Sequence, residues 1–284
     1  MSKVNKVDEI KKFWPKNAPN FDNVPKYINK YKKELIVIKY GGNVLIDRKI
    51  FNNFIEDISV LNKLGLSIIV VHGGGPRIER KLKEENIQTK FINGLRVTDE
   101  KTIMVVEESL TELNNEIIFK LRDKNCEGVE FSPNNNNIIF VDQISKDLMY
   151  VGNPKEIKSD AMLNQVEAKK VPIIAPMGKG QDNKNYNINA DTAAGAIAKK
   201  INARRLLLMT DVEGVLDKDK KLISEIKSDT ANKMMDEKII TGGMIPKINT
   251  CIDSVNNGVT GVAIVDGRKP HSILFEIFSD KGAG

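Results

Sequence analysis

Along the chain, short unbroken apolar runs alternate with longer stretches in which apolar residues recur every three or four positions. The runs at 36–40, 67–72, 171–176, 206–210 and 260–265 read as strands buried on both faces. Between the first two, residues 47–64 put Ile50, Phe54, Ile58, Leu61 and Leu64 on one helical face, and Gly65 closes the segment. Helical spacing also marks 76–86, 99–123, 161–168, 192–199, the stretch opened by 241–247 and running to about 257, and 271–278. Weaker strand patterns lie near 126–131, 138–142 and 148–151. Strand, helix, strand in this order predicts an α/β fold with right-handed parallel crossovers. Ahead of the first strand, 1–20 is a polar lead with Pro15 and Pro19, in which Phe13 and Trp14 are the large apolar pair. A helix then presents Val24, Tyr27, Ile28 and Tyr31 on one face, with Asp22 placed to cap it and Pro25 in its first turn. Nothing local can cover that face, so it lies on the core or meets another subunit.

Glycines follow the strands. The run IVIKYGGN at 36–43 carries Lys39 into the pair Gly41 and Gly42, and IIVVHGGGP at 68–76 leads into three glycines and a proline suited to open a helix. Paired glycines let the backbone turn sharply and bring bare N–H groups against an anion, so both turns read as phosphate cradles at the carboxyl ends of neighbouring strands. Neither is the GxxxxGK[ST] of a P-loop, and no HRD or DFG motif occurs. A third strand ends in the polar loop 210–215, and TGGMIPK at 241–247 opens a helix with Lys247 in its first turn. In NYNINAD, Asn187 and Asn189 alternate ahead of Asp191, whose carboxylate either caps the following alanine-rich helix or faces Lys39. Arg96, among apolar residues in NGLRVTD, calls for an anionic partner, equally a ligand or a structural ion pair.

Composition narrows the function classes. With 284 residues, 40% hydrophobic and 29% charged, the chain can bury a full core, and no apolar stretch approaches a membrane span. No export or organelle signal is visible at the start, which points to the cytoplasm. Two isolated cysteines, Cys126 and Cys251, suit neither a disulfide framework nor a zinc site and read as reduced thiols. A net charge of +6 spread among acidic residues, without an aromatic-studded basic stripe, suits small anionic ligands better than nucleic acid. The asparagine run 134–137 reads as a surface loop.

Together, residues 36–43, 71–76, 93–99, 186–195, 210–215 and 241–249 resemble the amino acid kinase family, and within it the arginine-sensitive members that act on N-acetyl-L-glutamate. The resemblance implies a three-layer αβα sandwich around a mainly parallel eight-stranded sheet, carbamate kinase-like. It implies an extension at 1–33 with an oligomerisation helix, an acyl-acceptor lobe at 34–189, and an ATP-binding lobe with an effector segment at 190–284. It implies a step of arginine biosynthesis in which ATP phosphorylates the side-chain carboxylate of the acceptor. Mg2+ would be held mainly by the phosphates, with no protein ligand named. Such a carboxylate is ionised at pH 7 and needs no general base, only cations and N–H groups around the moving phosphoryl.

By the family pattern, Lys39 and Lys247 are the two cations, Asp191 holds them in register, and Gly42 and Gly74 offer backbone N–H groups. Gly74, Gly75, Arg96, Asn187 and Asn189 match acceptor-binding positions, with Arg96 forking onto the α-carboxylate. Thr210, Asp211, Val212, Glu213, Gly214 and Val215, with Ile239, Ile240 and Thr241, match the ATP-binding loops. Tyr27, His271, Glu276 and Gly282 match positions that bind arginine as an inhibitor in a homohexamer, a trimer of dimers interlaced by the N-terminal helix. A PII-type regulator stays open as a partner. Two other readings stand beside this one: a kinase of N-acetyl-aminoadipate, one methylene longer, and a non-catalytic arginine sensor on the same fold.

Overall fold

The computed structural model describes residues 11, 14–42, 47–280 and 282–284. Phe13 and Asn43 lie outside the described residues. Helix α1 (Val24–Lys30) precedes β1 (Leu35–Tyr40), α2 (Arg48–Lys63), β2 (Ser67–His72) and α3 (Gly75–Glu84). A small hairpin of β3 (Phe91–Ile92) and β4 (Leu95–Arg96) leads into the long α4 (Glu100–Asp123). Next come β5 (Gly128–Phe131), β6 (Ile139–Gln143), β7 (Gly152–Ile157), α5 (Asp160–Glu167) and β8 (Val171–Ile174). After β9 (Met177–Lys179) and β10 (Asn185–Asn187) the chain forms α6 (Ala190–Lys200) and β11 (Arg205–Thr210). It ends with α7 (Ser228–Asp236), α8 (Met244–Asn256), β12 (Val262–Asp266) and α9 (Ser272–Phe278).

The α/β architecture matches expectation, but the central sheet has six strands, not eight, in the order β12-β11-β1-β2-β8-β5, all parallel. The 138–142 segment, as β6, pairs antiparallel with β7 in a second sheet of four strands ordered β10-β9-β6-β7. Burial explains the split. β1 and β2 are buried along nearly their whole length, as strands covered on both faces must be, whereas β7 leaves Asn153, Lys155 and Glu156 exposed. The stretch 148–151 is not a strand. It turns through Met149 in the left-handed region and makes single bridges to Thr98 and Asn187.

Alternation along β1 sorts the two helical layers. Ile36, Ile38 and Tyr40 face one layer, with Phe54 and Ile58 of α2 and Ile273 and Leu274 of α9, while Val37 faces Ala193, Ala194 and Ile197 of α6. Tyr40 stacks on Phe54 at 3.8 Å between ring centroids. Lys39 therefore leaves the strand on the side of α6. Asp47 caps α2, its carboxylate accepting from the N–H groups of Lys49 and Ile50.

The N-terminal helix lies on the core. Val24, Tyr27 and Tyr31 are buried, and the Tyr27 ring meets Phe278 of α9 edge-on at 6.2 Å. Three such side chains contribute roughly 5 kcal/mol of transfer free energy, enough to hold a short helix that would not form alone. Asp22 does not cap it. The side chain of Asn20 instead accepts from the Asp22 N–H, ahead of a short 3-10 turn. Trp14 folds back on the same chain, edge-on to Phe21 and Phe278, and its indole N–H donates to the Pro19 carbonyl at 2.8 Å.

Candidate active site

Lys39, one residue from the end of β1, is 6% exposed, and Asp191, in the first turn of α6, is 7% exposed. The cap of α6 is Asn189, whose Oδ1 accepts from the N–H groups of Asp191 (2.9 Å) and Thr192 (3.1 Å). The reading of Asp191 as the cap is thus displaced by two residues, and its carboxylate is free to turn inward. Its Oδ1 lies 2.9 Å from Lys39 Nζ and its Oδ2 accepts from Lys247 Nζ at 2.6 Å. Lys247 comes from the first turn of α8. Burial pushes the Asp191 carboxyl up, but the ammonium groups of Lys39 and Lys247 outweigh it and hold the group below the ordinary carboxylate range. Burial also pulls Lys39 below the ordinary lysine range, with Asp191 drawing it back up.

The two glycine turns touch. The Gly73 N–H donates to the Tyr40 carbonyl at 2.6 Å, and a Cβ at Gly73 would stand 3.2 Å from the Gly41 Cα. A Cβ at Gly41 would come within 2.9 Å of Lys39 Cε. Gly42 adopts φ +81°, a conformation that favours glycine, and faces the Asp211 carboxylate. Gly74 is packed so closely that a Cβ would meet Leu110 Cδ2 at 2.5 Å, whereas Gly75, opening α3 with Pro76 behind it, faces open space. An anion entering there meets the unpaired N–H groups of a helix N-terminus.

His72, beneath the second turn, is fully buried. Its Nδ1 lies 3.0 Å from the Gly73 carbonyl, which can only accept, so Nδ1 carries the hydrogen and Nε2 is left as a buried acceptor. Burial pushes its pKa down to about 4, and the ring stays neutral.

The acceptor candidates are arranged less simply. Arg96 is 8% exposed at its side chain and donates to Glu79 Oε2 at 2.8 Å, with its guanidinium over the Phe91 ring. In this state it is an ion pair within the chain. Asn187 reaches Thr98 Oγ1 at 3.4 Å, and that hydroxyl donates to the Arg96 carbonyl at 2.9 Å. Thr98 thus links the two candidates, a role that only its place two residues after Arg96 could have suggested. Asn189 spends its side-chain oxygen on the helix cap.

Of the nucleotide-loop candidates, Thr210 closes β11 and its hydroxyl lies 3.4 Å from Asp211 Oδ1. Val212 is exposed, and Gly214 takes φ +139° against Leu222. Val215 and Ile240 bury their side chains in the core, leaving only backbone to a ligand. Ile239 donates its N–H to the Met234 carbonyl, and Thr241 accepts from the Met244 N–H. Among the described residues no group of three or more His, Cys, Asp or Glu could hold a metal.

Tyr27, Glu276 and Gly282 line one cavity of about 850 Å³, together with Arg205 and Asp280. The Tyr27 hydroxyl donates to Asp280 at 2.6 Å. Glu276 pairs with Arg205 and accepts from the Ala283 N–H. His271 stands apart from this lining, its Nδ1 2.6 Å from Asp57 on α2. Arg205 was missed at the sequence level, although a cation opening an otherwise apolar strand is a signal that could have found it.

Residues 34–266 match the amino acid kinase family. The chain belongs to that family. Among its relatives, the acetylglutamate kinase of Pelagibacter ubique is 52% identical over 98% of this chain and 96% of its own length. Solved structures share the fold. An N-acetylglutamate synthase from Neisseria gonorrhoeae, complexed with coenzyme A and N-acetyl-glutamate, aligns at TM-score 0.85 and 21% identity, covering 100% of this chain and 63% of that one. A carbamate kinase from Giardia lamblia bound to AMP-PNP aligns at TM-score 0.65 and 16% identity, covering 86% of this chain and 96% of that one. In this chain the glycine turns sit at the ends of parallel strands β1 and β2. Lys39, Gly41, Gly42 and Gly73 occupy those ends here.

Proposed function

We propose that this chain is an acetylglutamate kinase: it transfers the γ-phosphoryl group of ATP to the side-chain carboxylate of N-acetyl-L-glutamate, in arginine biosynthesis. The observation that carries this reading is the meeting of Lys39 and Lys247 on Asp191, beside two touching glycine turns. The carboxylate oxygen of the acceptor bonds to the γ-phosphorus as the bond to the β-phosphate oxygen breaks, and ADP leaves. Both reactants are anions, so positive charge must flank the phosphoryl as its equatorial oxygens gather charge. Lys39 and Lys247 supply it, Asp191 fixes their separation, and the N–H groups of Gly42 and Gly74 complete the cradle. The open space beside Gly75 suits the acceptor, with Arg96 and Asn187, linked through Thr98, as its proposed polar partners. The loop from Thr210 to Val215 and the turn at Ile239 to Thr241 face the nucleotide in this reading, and 34–189 and 190–284 divide the work as acceptor and ATP lobes. Mg2+ travels with ATP, held chiefly by its phosphates and water.

Arginine, the end product, is the proposed inhibitor. Its cavity is the one lined by Tyr27, Glu276 and Gly282, where Glu276 already holds a guanidinium, that of Arg205. The hexameric assembly proposed with it rests on the family resemblance, since the apolar face of the N-terminal helix is buried on this chain's own core. The proposed compartment is the cytoplasm; among the described residues no helix is long and apolar enough to cross a membrane.

The direct test incubates the purified chain with ATP, Mg2+, N-acetyl-L-glutamate and hydroxylamine. Hydroxamate should form in step with ADP, and Asp191→Asn should lower kcat on the order of a hundredfold or more. ADP release that ignores the acceptor would overturn the reading.

A further inference from the structure

The proposed acceptor pocket contains a carboxylate of its own. Glu79 sits four residues after Gly75 on α3, hence on the same helical face, one turn behind the open space that this glycine borders. Its Oε2 accepts from Arg96 at 2.8 Å and from the Thr89 hydroxyl at 3.3 Å, and Arg96 also reaches Thr89 Oγ1 at 3.2 Å. The pair is lopsided: the Arg96 side chain is 8% exposed, that of Glu79 54%. A buried guanidinium needs an anion whether or not substrate is present, and a half-exposed carboxylate can give it up cheaply because water receives the released charge.

We propose that Glu79 is an internal stand-in for the α-carboxylate of the acceptor. It keeps Arg96 paired and oriented in the empty site and must swing away before the acceptor can take the same guanidinium. This rests on the reading of Arg96 as the α-carboxylate receptor. Glu79 then tunes affinity for the α-carboxylate alone: an acceptor that bears one must displace the glutamate, whereas one that lacks it leaves the Arg96–Glu79 pair in place. A monocarboxylate finds Arg96 already neutralised and gains nothing there.

The test measures KM and kcat for N-acetyl-L-glutamate with the parent chain, Glu79→Gln and Glu79→Ala. Alongside these, it measures inhibition by 4-acetamidobutanoate, the same skeleton without the α-carboxylate. Removing the competing charge should lower KM about two- to fivefold, the scale of a partly exposed ion pair. kcat and inhibition by 4-acetamidobutanoate should stay as in the parent. If Glu79 instead merely props the hairpin, both variants will raise KM and weaken the monocarboxylate as well, and the inference falls. An unchanged KM also overturns it. Arg96→Ala keeps the two layers separate: a raised KM there upholds the receptor reading whatever Glu79 does, and an unchanged KM removes that reading and this inference together.

Discussion

Asp191 is the residue on which the site turns, because one carboxylate between two ammonium groups converts mutual repulsion into fixed spacing. Removing it leaves two partly buried cations facing each other, which should cost stability and, in the proposed reading, catalysis. His72 sets a different condition at the same strand ends. Its unfolded pKa is near 6.5 and its folded value about 4, so between those limits the unfolded chain takes up the proton that the folded ring refuses. Stability attributable to His72 is therefore complete above pH 6.5 and drains away as pH falls towards 4, by on the order of 3 kcal/mol. Asp57, pushed up to about 6 by burial, acts with the opposite sign, gaining a proton in the folded state as pH falls through the same range. Urea unfolding of the parent and of His72→Asn, from pH 7.5 to 4.5, isolates the histidine. The difference between the two should shrink or reverse towards acid, and a constant gap would refute the assignment. Lys39 was legible in the sequence because it interrupts an apolar strand ahead of paired glycines, and period-two alternation puts it on the same side as Val37. Glu79 was not legible, because a charged residue on an amphipathic helix looks alike whether it faces water or an arginine 17 residues further along the chain.

At the scale of elements, α6 works because its cap and its functional carboxylate are different residues. Asn189 satisfies the first N–H groups, so Asp191 need not. Asn189→Ala should lower unfolding stability by about 1 kcal/mol through the lost cap. It should also lower kcat, since the freed N–H groups will compete for the Asp191 carboxylate. Denaturant melts and steady-state rates measured on one preparation check both effects, and an intact rate would mean that the first turn holds Asp191 without its cap. Sequence alone could not choose between the two residues, since asparagine and aspartate cap equally well. The asparagine run 134–137 is the surface loop that composition suggested, with 134–136 exposed, but its anchoring was not legible. Ser132 and Asn135 close a tight turn on backbone hydrogen bonds, and Asn135 and Asn136 tie it to Glu130 of β5.

Across the whole molecule, the strand order brings the sequence-distant Lys39, Asp191 and Lys247 together, because β1 lies between β2 and β11 at the middle of the sheet. Five of the six core strands were legible as apolar runs and β5 only as a weaker pattern, while the expected count of eight failed; the second sheet was not legible, because its half-exposed strands carry weak patterns and its partners are fixed by tertiary packing. The N-terminal helix and α9 form a second centre around Phe278, away from the strand ends. Arginine binding in that region should raise the acceptor KM or lower kcat at millimolar concentration, and Glu276→Gln should blunt the response. Activity indifferent to arginine would exclude the effector reading while leaving the catalytic one intact.

The backbone contact between Gly41 and Gly73 decides where this enzyme can flex. With main chain resting on main chain, the two loops have no side-chain cushion between them, and parting them would break the hydrogen bond from the Gly73 N–H to the Tyr40 carbonyl. Any adjustment to a ligand is therefore expected first in outlying pieces, the arginine-bearing hairpin and the long loop after β11, rather than at this floor.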